Sequence, residues 1–428
     1  MHKIKDLYHH FLLSDGVTTD SRDDVTNKIF FALSGENFNG NKFSATALNK
    51  GAILCVIDDP SYNTNEKCFI VSDVLATLQD LASYHRKESA VEVFAITGTN
   101  GKTTTKELAS SVLSSHIDII STRGNFNNHI GVPLTLLNIK PSTKIAIIEM
   151  GANHIGEIER LCEIAKPDFG LITNIGKAHL EGFGSFDGVI IAKNELYNYI
   201  SDNNGKVIVN KEDNLLTKLS KNIPQLTYGK NNADVEGEII ESKPYLNIRW
   251  ANTEKTNVCI SHLYGKYNFD NIMAAIAVGL FFKVPKEKIN AAIEGYIPEN
   301  NRSQHIKTKN NSVILDAYNA NPTSMNGAIE SFTEHNLKNP WLILGDMFEL
   351  GEYSMAEHQQ IIELLNEKSH YSVILIGENF YHTQGHSFTK FRTTEDAYEY
   401  LRSNRITDAS ILVKGSRGMK LESLLELL

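Results

Sequence analysis

The stretch Val93-Phe94-Ala95-Ile96-Thr97-Gly98-Thr99-Asn100-Gly101-Lys102-Thr103-Thr104-Thr105 decides the reading of this chain. A short apolar run leads into a glycine-rich turn, and a helix-compatible segment follows. Glycines let backbone N–H groups turn inward on an anion, and the helix dipole adds partial positive charge. The match is to a variant of G-x-x-x-x-G-K-[ST] in which the first position is not glycine. Gly98, Thr99, Asn100, Gly101, Lys102, Thr103 and Thr104 are the candidate nucleotide contacts. Lys102 can reach the outer phosphates, and the Thr103 hydroxyl can hold Mg²⁺. The segment predicts a nucleoside triphosphate site.

At 428 residues the chain is expected to fold as two or three domains. Its 41% apolar and 22% charged residues are those of a soluble globular protein. The net charge of −9, with no dense Lys/Arg block, argues against nucleic acid or an anionic membrane as partner. Cys55, Cys68, Cys162 and Cys259 are far apart without a CxxC pair and read as reduced core residues. The N-terminal sequence has no uninterrupted apolar segment of the secretory kind, and the apolar run Ile272–Phe282 is too short to span a bilayer. A cytoplasmic protein is expected.

Residues 1 to about 88 mix short strands (Ile29–Leu33, Ala52–Ile57, Cys68–Val71) with a helix near Val74–Lys87, and Arg86–Ser89 reads as a linker. From 89 to 298, strands alternate with helices at Phe94–Thr97, Ile117–Ser121, Ile145–Met150, Gly170–Asn174 and Val207–Asn210. That rhythm predicts βαβ units and a mainly parallel sheet. After Ile297–Asn301 a second α/β rhythm carries strands at Val313–Ala317, Trp341–Leu344, Val373–Ile376 and Ile411–Val413. The fold class is α/β, with units 1–88, 89–298 and 299–428.

Polar clusters follow the predicted strand ends, where open α/β sheets bind ligands. Gly124-Asn125-Phe126-Asn127-Asn128-His129 puts three asparagines in four positions, and Asn127 and Asn128 are candidate substrate contacts. Glu149 closes an apolar strand beside the phosphate loop, a position suited to a Mg²⁺ ligand. His179, in Thr173-Asn174-Ile175-Gly176-Lys177-Ala178-His179, could ligate a second cation.

Together, TDSR (19–22), FFALSGE (30–36), TGTNGKTTTKE, GNFNNHIGVPLTLL, EMGANHIGEI, TNIGKAHLEGFGS, AKNEL (192–196), DAYNANPTSM, GDMFELG and VKGSRGMKLE resemble the Mur ligase family over nearly the whole chain. These are ATP-dependent amide-forming enzymes of peptidoglycan precursor synthesis. GNFNNHIG and YNANPTSM point to the branch that adds D-alanyl-D-alanine to UDP-MurNAc-tripeptide. The resemblance implies three domains: an N-terminal UDP-substrate domain, a central P-loop ATPase domain on a parallel sheet, and a C-terminal Rossmann-like domain binding the dipeptide. It implies ATP and Mg²⁺ as cofactors and, as an expectation, a monomer.

In the implied mechanism the tripeptide carboxylate attacks the γ-phosphate, and the dipeptide amine then displaces phosphate from the acyl phosphate. Lys102 would neutralise the β,γ-phosphates, and Thr103 and Glu149 would hold one Mg²⁺. His179 and a carbamylated Lys193 would serve a second. Asn268 and Asn271 match the adenine segment, with Tyr267 where the family has histidine. Arg302 would reach the ATP phosphates, and Asp316 resembles the ribose- or phosphate-side acid. Tyr318, Asn319 and Asn321 resemble the loop facing the amine. Ser21 and Arg22 would contact the UDP substrate, whereas Asn39 and Asn41 replace the Asp and His of the family's uridine pattern. Activity is expected to require closure, so a ligand-free structure can hold Arg302 and the 318–322 loop away from the phosphate loop.

A folylpolyglutamate-synthase-like ligase would need a pterin pocket instead of the TDSR and FFALSGE segments. A GTPase-type switch would carry Asn-Lys-x-Asp at a strand end. The Asn-Lys pairs at Asn27, Asn41, Asn49 and Asn210 are read as lacking the Asp at the right offset, so that class is set aside.

Overall fold

Three sheets organise the computed structural model, which describes residues 2–252, 255–334, 337–368, 370–385 and 388–428. The central sheet has nine strands. From one edge they run Ile119–Ser121, Ile145–Glu149, Glu92–Thr97, Phe169–Ile172, Lys206–Asn210, Gln225–Gly229, Val235–Glu241, Asn247–Asn252 and Lys255–Ile260. The first seven run parallel to one another. Phe94, Ala95, Ile96 and Ile145–Ile148 are buried on both faces, which is why these segments read as continuous apolar runs rather than alternating ones.

Glu92–Thr97 lies between Ile145–Glu149 and Phe169–Ile172, so the chain leaves it first toward one edge and later toward the other. Such a reversal opens a crevice beyond the strand ends. Gly98, Met150 and Thr173 all emerge there.

The C-terminal sheet runs Gln304–Lys307, Asn311–Asp316, Ala409–Lys414, Pro340–Gly345, Ser372–Ile376 and Thr389–Phe391. Its first pair is antiparallel and the rest parallel. The small N-terminal sheet is a parallel set of Val17–Thr18, Ile29–Phe31, Leu54–Ile57 and Cys68–Ile70, with a hairpin Ser34–Gly35/Phe38–Asn39 beside it.

Three expectations are corrected. Arg86–Ser89 is no linker: it is the last turn of the helix Val74–Ser89, capped at its start by Asp73. Arg86 is buried there and pairs at 2.7 Å with Asp168, whose same oxygen accepts from Val93 N. The sequence is charged in this turn because the charge ties the helix to the central sheet. The alternation of strands and helices fails over residues 225–260, where four strands follow one another and the last three are antiparallel. Cys68 is half-buried rather than core, although Cys55, Cys162 and Cys259 are buried, and all four are free thiols.

The tetrad Asn210-Lys211-Glu212-Asp213 does complete an Asn-Lys-x-Asp, and the structure decides its meaning. Asp213 caps the helix Asn214–Leu219 by accepting from Leu215 N and Leu216 N, and Asn210 is buried and accepts from Glu212 N. It is a strand-to-helix turn. Asp213→Ala should therefore cost about 1 kcal/mol through the lost cap, seen in chemical denaturation, without changing selectivity between adenine and guanine nucleotides.

Candidate active site

Close packing fixes the phosphate loop. Gly98 has φ +140°, and a methyl there would lie 2.1 Å from Thr173 Oγ1; Gly101 has φ +78°, and a methyl there would lie 2.3 Å from Asn271 Oδ1. Only glycine meets both the backbone angle and the space. Asn100 N donates to Asn174 Oδ1 at 3.0 Å, and Thr173 Oγ1 donates to Asn100 O at 2.6 Å. Asn271 accepts from Thr105 Oγ1 and donates to Asn268 Oδ1. Asn268 and Asn271 thus hold the loop from behind, and both also line the cavity in front of it.

Lys102 begins the helix Lys102–Ser114 and donates to Gly98 O at 2.7 Å and Thr99 O at 2.9 Å. Burial pushes its ammonium down to about 8, against the attraction of Glu149 and aided by the charge of Arg302. Thr103 Oγ1 donates to Glu149 Oε1 at 3.2 Å, and Asn127 Nδ2 donates to the same oxygen at 2.9 Å. Glu149 Oε2 is buried without a hydrogen-bond partner among the described residues. A buried carboxylate oxygen left unpaired is costly unless a cation meets it. Thr103 and Glu149 offer the hard oxygen donors that Mg²⁺ takes, so the residues present fit that ion.

His179 has φ +51°, and its Nδ1 contacts a carboxylate oxygen of Glu349, which reaches it from the C-terminal sheet's side. That contact holds the Glu349 carboxyl below its ordinary range. Lys193 is 2% exposed, with Nζ 3.5 Å from Ala152 O and 5.2 Å from the Phe183 ring. It is not a solvated helix lysine. Burial, with the nearby Lys102 charge, pushes it down to about 7. Two residues on, Glu195 accepts from Gly156 N and Glu159 N and so seats its own helix against the start of Glu157–Ala165.

The opposite wall comes from the C-terminal sheet. Asp316 and Lys414 end adjacent parallel strands in register and pair at 2.6 Å. The Arg302 guanidinium lies 3.7 Å from the Tyr318 ring centroid, and its Nε is buried without a hydrogen-bond partner among the described residues. Both walls enclose one cavity of about 1130 Å³. Thr99–Thr104, Asn127, Asn128, Glu149, His179, Asn268, Asn271, Arg302, Asp316, Tyr318 and Asn319 line it. Of the open and closed arrangements that the sequence leaves undecided, the structure shows Arg302 and the 318–322 loop already facing the phosphate loop across one cavity.

Asn321 is placed differently from the expectation. It is buried, caps the helix Pro322–Thr333, and donates at 2.8 Å to Asn100 Oδ1, locking the C-terminal side to the phosphate loop. Ser21 and Arg22 are outside the cavity; Lys50 Nζ donates to Ser21 O, and exposed Arg22 pairs with Asp20 at 2.6 Å. Sequence reasoning missed Lys414, Glu349 and Asn174 as individual residues. Lys414 stands at the end of an apolar strand inside a quoted motif, a signal that was available. Glu349 also lies inside a quoted motif, GDMFELG, but only the fold sets it against His179.

Gly98→Ala should shift the loop at a strain of roughly 1–3 kcal/mol. A titration with a fluorescent ATP analogue is then expected to show affinity lower by about ten- to a hundred-fold.

Two family models match: the Mur ligase middle domain over residues 96–279 and the Mur ligase glutamate ligase domain over 301–417. A UDP-N-acetylmuramoyl-tripeptide–D-alanyl-D-alanine ligase of Bacillus subtilis is 33% identical over 425 residues, 96% of this chain and 92% of the relative. One of Escherichia coli with the same name is 31% identical over 97% of this chain and 93% of its own length. The crystal structure of MurF from Acinetobacter baumannii superposes with a TM-score of 0.86 at 31% identity, covering 96% of this chain and 92% of that one. With this coverage from end to end, and with the phosphate loop facing the C-terminal sheet as described, the chain belongs to the Mur ligase family.

Proposed function

We propose that the chain is the ATP-dependent ligase that joins D-alanyl-D-alanine to UDP-MurNAc-tripeptide in peptidoglycan synthesis. The observation that carries this reading is the meeting of two walls in one cavity. Lys102, Thr103 and Glu149 stand on one side, with Arg302, Tyr318, Asn319 and Lys414 on the other. A two-stage reaction needs that arrangement. The tripeptide carboxylate attacks the γ-phosphate and releases ADP; the amine then attacks the acyl carbon and releases phosphate, losing its proton. Acyl phosphates hydrolyse readily, so an enclosing cavity protects the intermediate and orients the amine.

The residues divide the work by charge. Lys102 neutralises the outer phosphates, and Arg302 adds a second cation from the facing wall. Mg²⁺, held by Thr103 and Glu149, would supply further neutralisation of phosphate charge. His179 would serve a second ion. A Lys193 amine lowered toward neutrality is uncharged often enough to add CO₂, giving a carbamate anion and a proton. Burial disfavours an unpaired anion, so the carbamate would need a cation beside it. Asn127 and Asn128 would meet the acceptor, and Ser21 and Arg22 its nucleotide end. We place the domain boundaries at 88 and 298 and the reaction in the cytoplasm, where charged nucleotide-linked precursors are retained. Among the described residues no helix is long and apolar enough to cross a membrane.

The test is phosphate release with ATP, UDP-MurNAc-tripeptide carrying either lysine or diaminopimelate, and a panel of amines. D-alanyl-D-alanine should be the preferred amine, and activity with single amino acids only would overturn the reading. Lys102→Ala should lose at least ~10²-fold in rate with the fold intact. Lys193→Ala should be nearly inactive and regain activity with small carboxylic acids. A fully active Lys193→Ala would make that lysine structural.

A further inference from the structure

Arg302 is a cavity cation carried by the C-terminal side, and the chain around it is strained. Asn300, Asn301 and Ser303 take φ +65°, +57° and +49°, three left-handed residues within four positions. Residues other than glycine keep such angles mainly where their surroundings over-determine them. A turn of this kind relaxes when a restraint is lost, and Arg302 would move with it. Its own side chain supplies little restraint: the guanidinium lies 3.7 Å from the Tyr318 ring centroid, and Nε has no hydrogen-bond partner among the described residues. A ring face lets a planar group slide. The backbone must fix the position.

The backbone is held from both sides of the cavity. On the C-terminal side, Tyr318 N donates to Asn301 O at 3.2 Å, and Ser303 N donates to Asp316 Oδ1 at 3.1 Å. Lys414 Nζ donates to the other Asp316 oxygen at 2.6 Å. On the central side the Tyr267 hydroxyl lies 2.7 Å from Ser303 Oγ. Asn268 Nδ2 reaches the same oxygen at a longer 3.5 Å and donates to Tyr264 O at 2.8 Å.

Tyr267 is itself firmly seated. Gly265 has φ +88°, and a methyl there would lie 2.3 Å from the Tyr267 ring, so the glycine leaves the space that the ring occupies. The ring packs against an apolar cluster of the C-terminal sheet. Burial, with the charge of Asp316, pushes the phenol well above its ordinary range, so the hydroxyl keeps its proton. Beside it, Asn268 Oδ1 accepts from Asn271 Nδ2 at 2.8 Å, and Asn271 Oδ1 accepts from Thr105 Oγ1 at 3.1 Å. A line of hydrogen bonds thus runs from the helix of the phosphate loop through Asn271, Asn268 and Ser303 to Asp316 and Lys414. It crosses between the walls at Ser303, next to Arg302, and Tyr267 makes the tighter contact there.

We propose that Tyr267 is a positioning residue, whose hydroxyl holds Ser303 and thereby fixes Arg302 relative to the phosphate loop during phosphoryl transfer. This role rests on the ligase reading above, in which Arg302 meets the phosphates. A cation displaced by about an ångström stabilises the shifting phosphoryl charge less, while the nucleotide still binds through the loop. Loss of the hydroxyl is therefore felt in kcat rather than in the KM for ATP. An imidazole, which the family carries at this position, is too short to place a nitrogen where this hydroxyl lies, so the device is particular to the tyrosine.

Tyr267→Phe keeps the ring and removes the hydroxyl. In phosphate release at saturating UDP-MurNAc-tripeptide and D-alanyl-D-alanine, kcat should fall about ten-fold and the KM for ATP change by less than about two-fold. Ser303→Ala should lose a similar factor, and the double variant no more than either alone, because both remove one contact. In an Arg302→Ala background, Tyr267→Phe should leave the remaining rate unchanged. A raised KM for ATP with native kcat would make Tyr267 a nucleotide contact and overturn the proposal. Native kcat in Tyr267→Phe overturns it too, as does an undiminished loss in the Arg302→Ala background. Should Tyr267→Phe fail to fold, as judged by Tm, Ser303→Ala carries the same comparisons. A native protein that does not ligate the dipeptide overturns the substrate reading and this role with it.

Discussion

The structure depends on how tightly the turn after Glu92–Thr97 is held. Gly98 and Gly101 lack the atom that would collide with Thr173 and Asn271, and that space lets neighbouring side chains grip the backbone. Thr173 and Asn174 bind it from the next strand, Asn271 from the helix Phe269–Phe281, and Asn321 from the C-terminal side. A phosphate cradle works only if its N–H groups are already aimed, because reorganising them would spend the affinity they provide. Every other functional group is placed relative to this turn.

The halves are joined differently. Across the cavity run the Asn100–Asn321 amide pair, the Lys177–Glu357 ion pair at 2.7 Å and the His179–Glu349 pair. Lys177 is about half exposed and Glu349 more so, and such pairs contribute little individually. The apolar clusters are largely separate: two line the faces of the C-terminal sheet and others those of the central sheet, and Tyr264 and Tyr267 reach from the central segment into one of the former. Apolar cores therefore make each sheet rigid, while mostly polar contacts, with the Tyr264 and Tyr267 rings, join them. Polar joints open at small cost, which suits a protein that must admit three substrates and then exclude water. The backbone between the halves carries Asn300, Asn301 and Ser303 at positive φ, a bend that ordinary linkers lack.

The N-terminal part is attached in the opposite manner. Its helix Val74–Ser89 and strands Ile29–Phe31 and Leu54–Ile57 share one apolar cluster with the central sheet. A chain that reads as charged at Arg86–Ser89 proves continuous with that core, because Arg86 is satisfied by Asp168 and by Lys166 O. The partition of rigid and movable joints is thus set by which interfaces are apolar, not by where the sequence turns polar.

The sequence by itself determined the phosphate loop, the parallel core strands and the identity of most cavity residues. Those signals are local: glycines at a strand end, continuous apolar runs and polar clusters that follow them need no distant partner to be read. Family motifs carried Lys193, Arg302 and Asp316, which composition alone leaves indistinct. Only the tertiary structure decided that Asn321 locks a loop rather than lining the cavity, that Asn210–Asp213 is a capped turn, and that residues 235–260 turn antiparallel. It also decided that Lys414 is neutralised by Asp316. The reason is physical. Whether an amide caps, bridges or binds, and whether a charge is paired or available, depends on groups hundreds of residues away that only packing brings within hydrogen-bond reach.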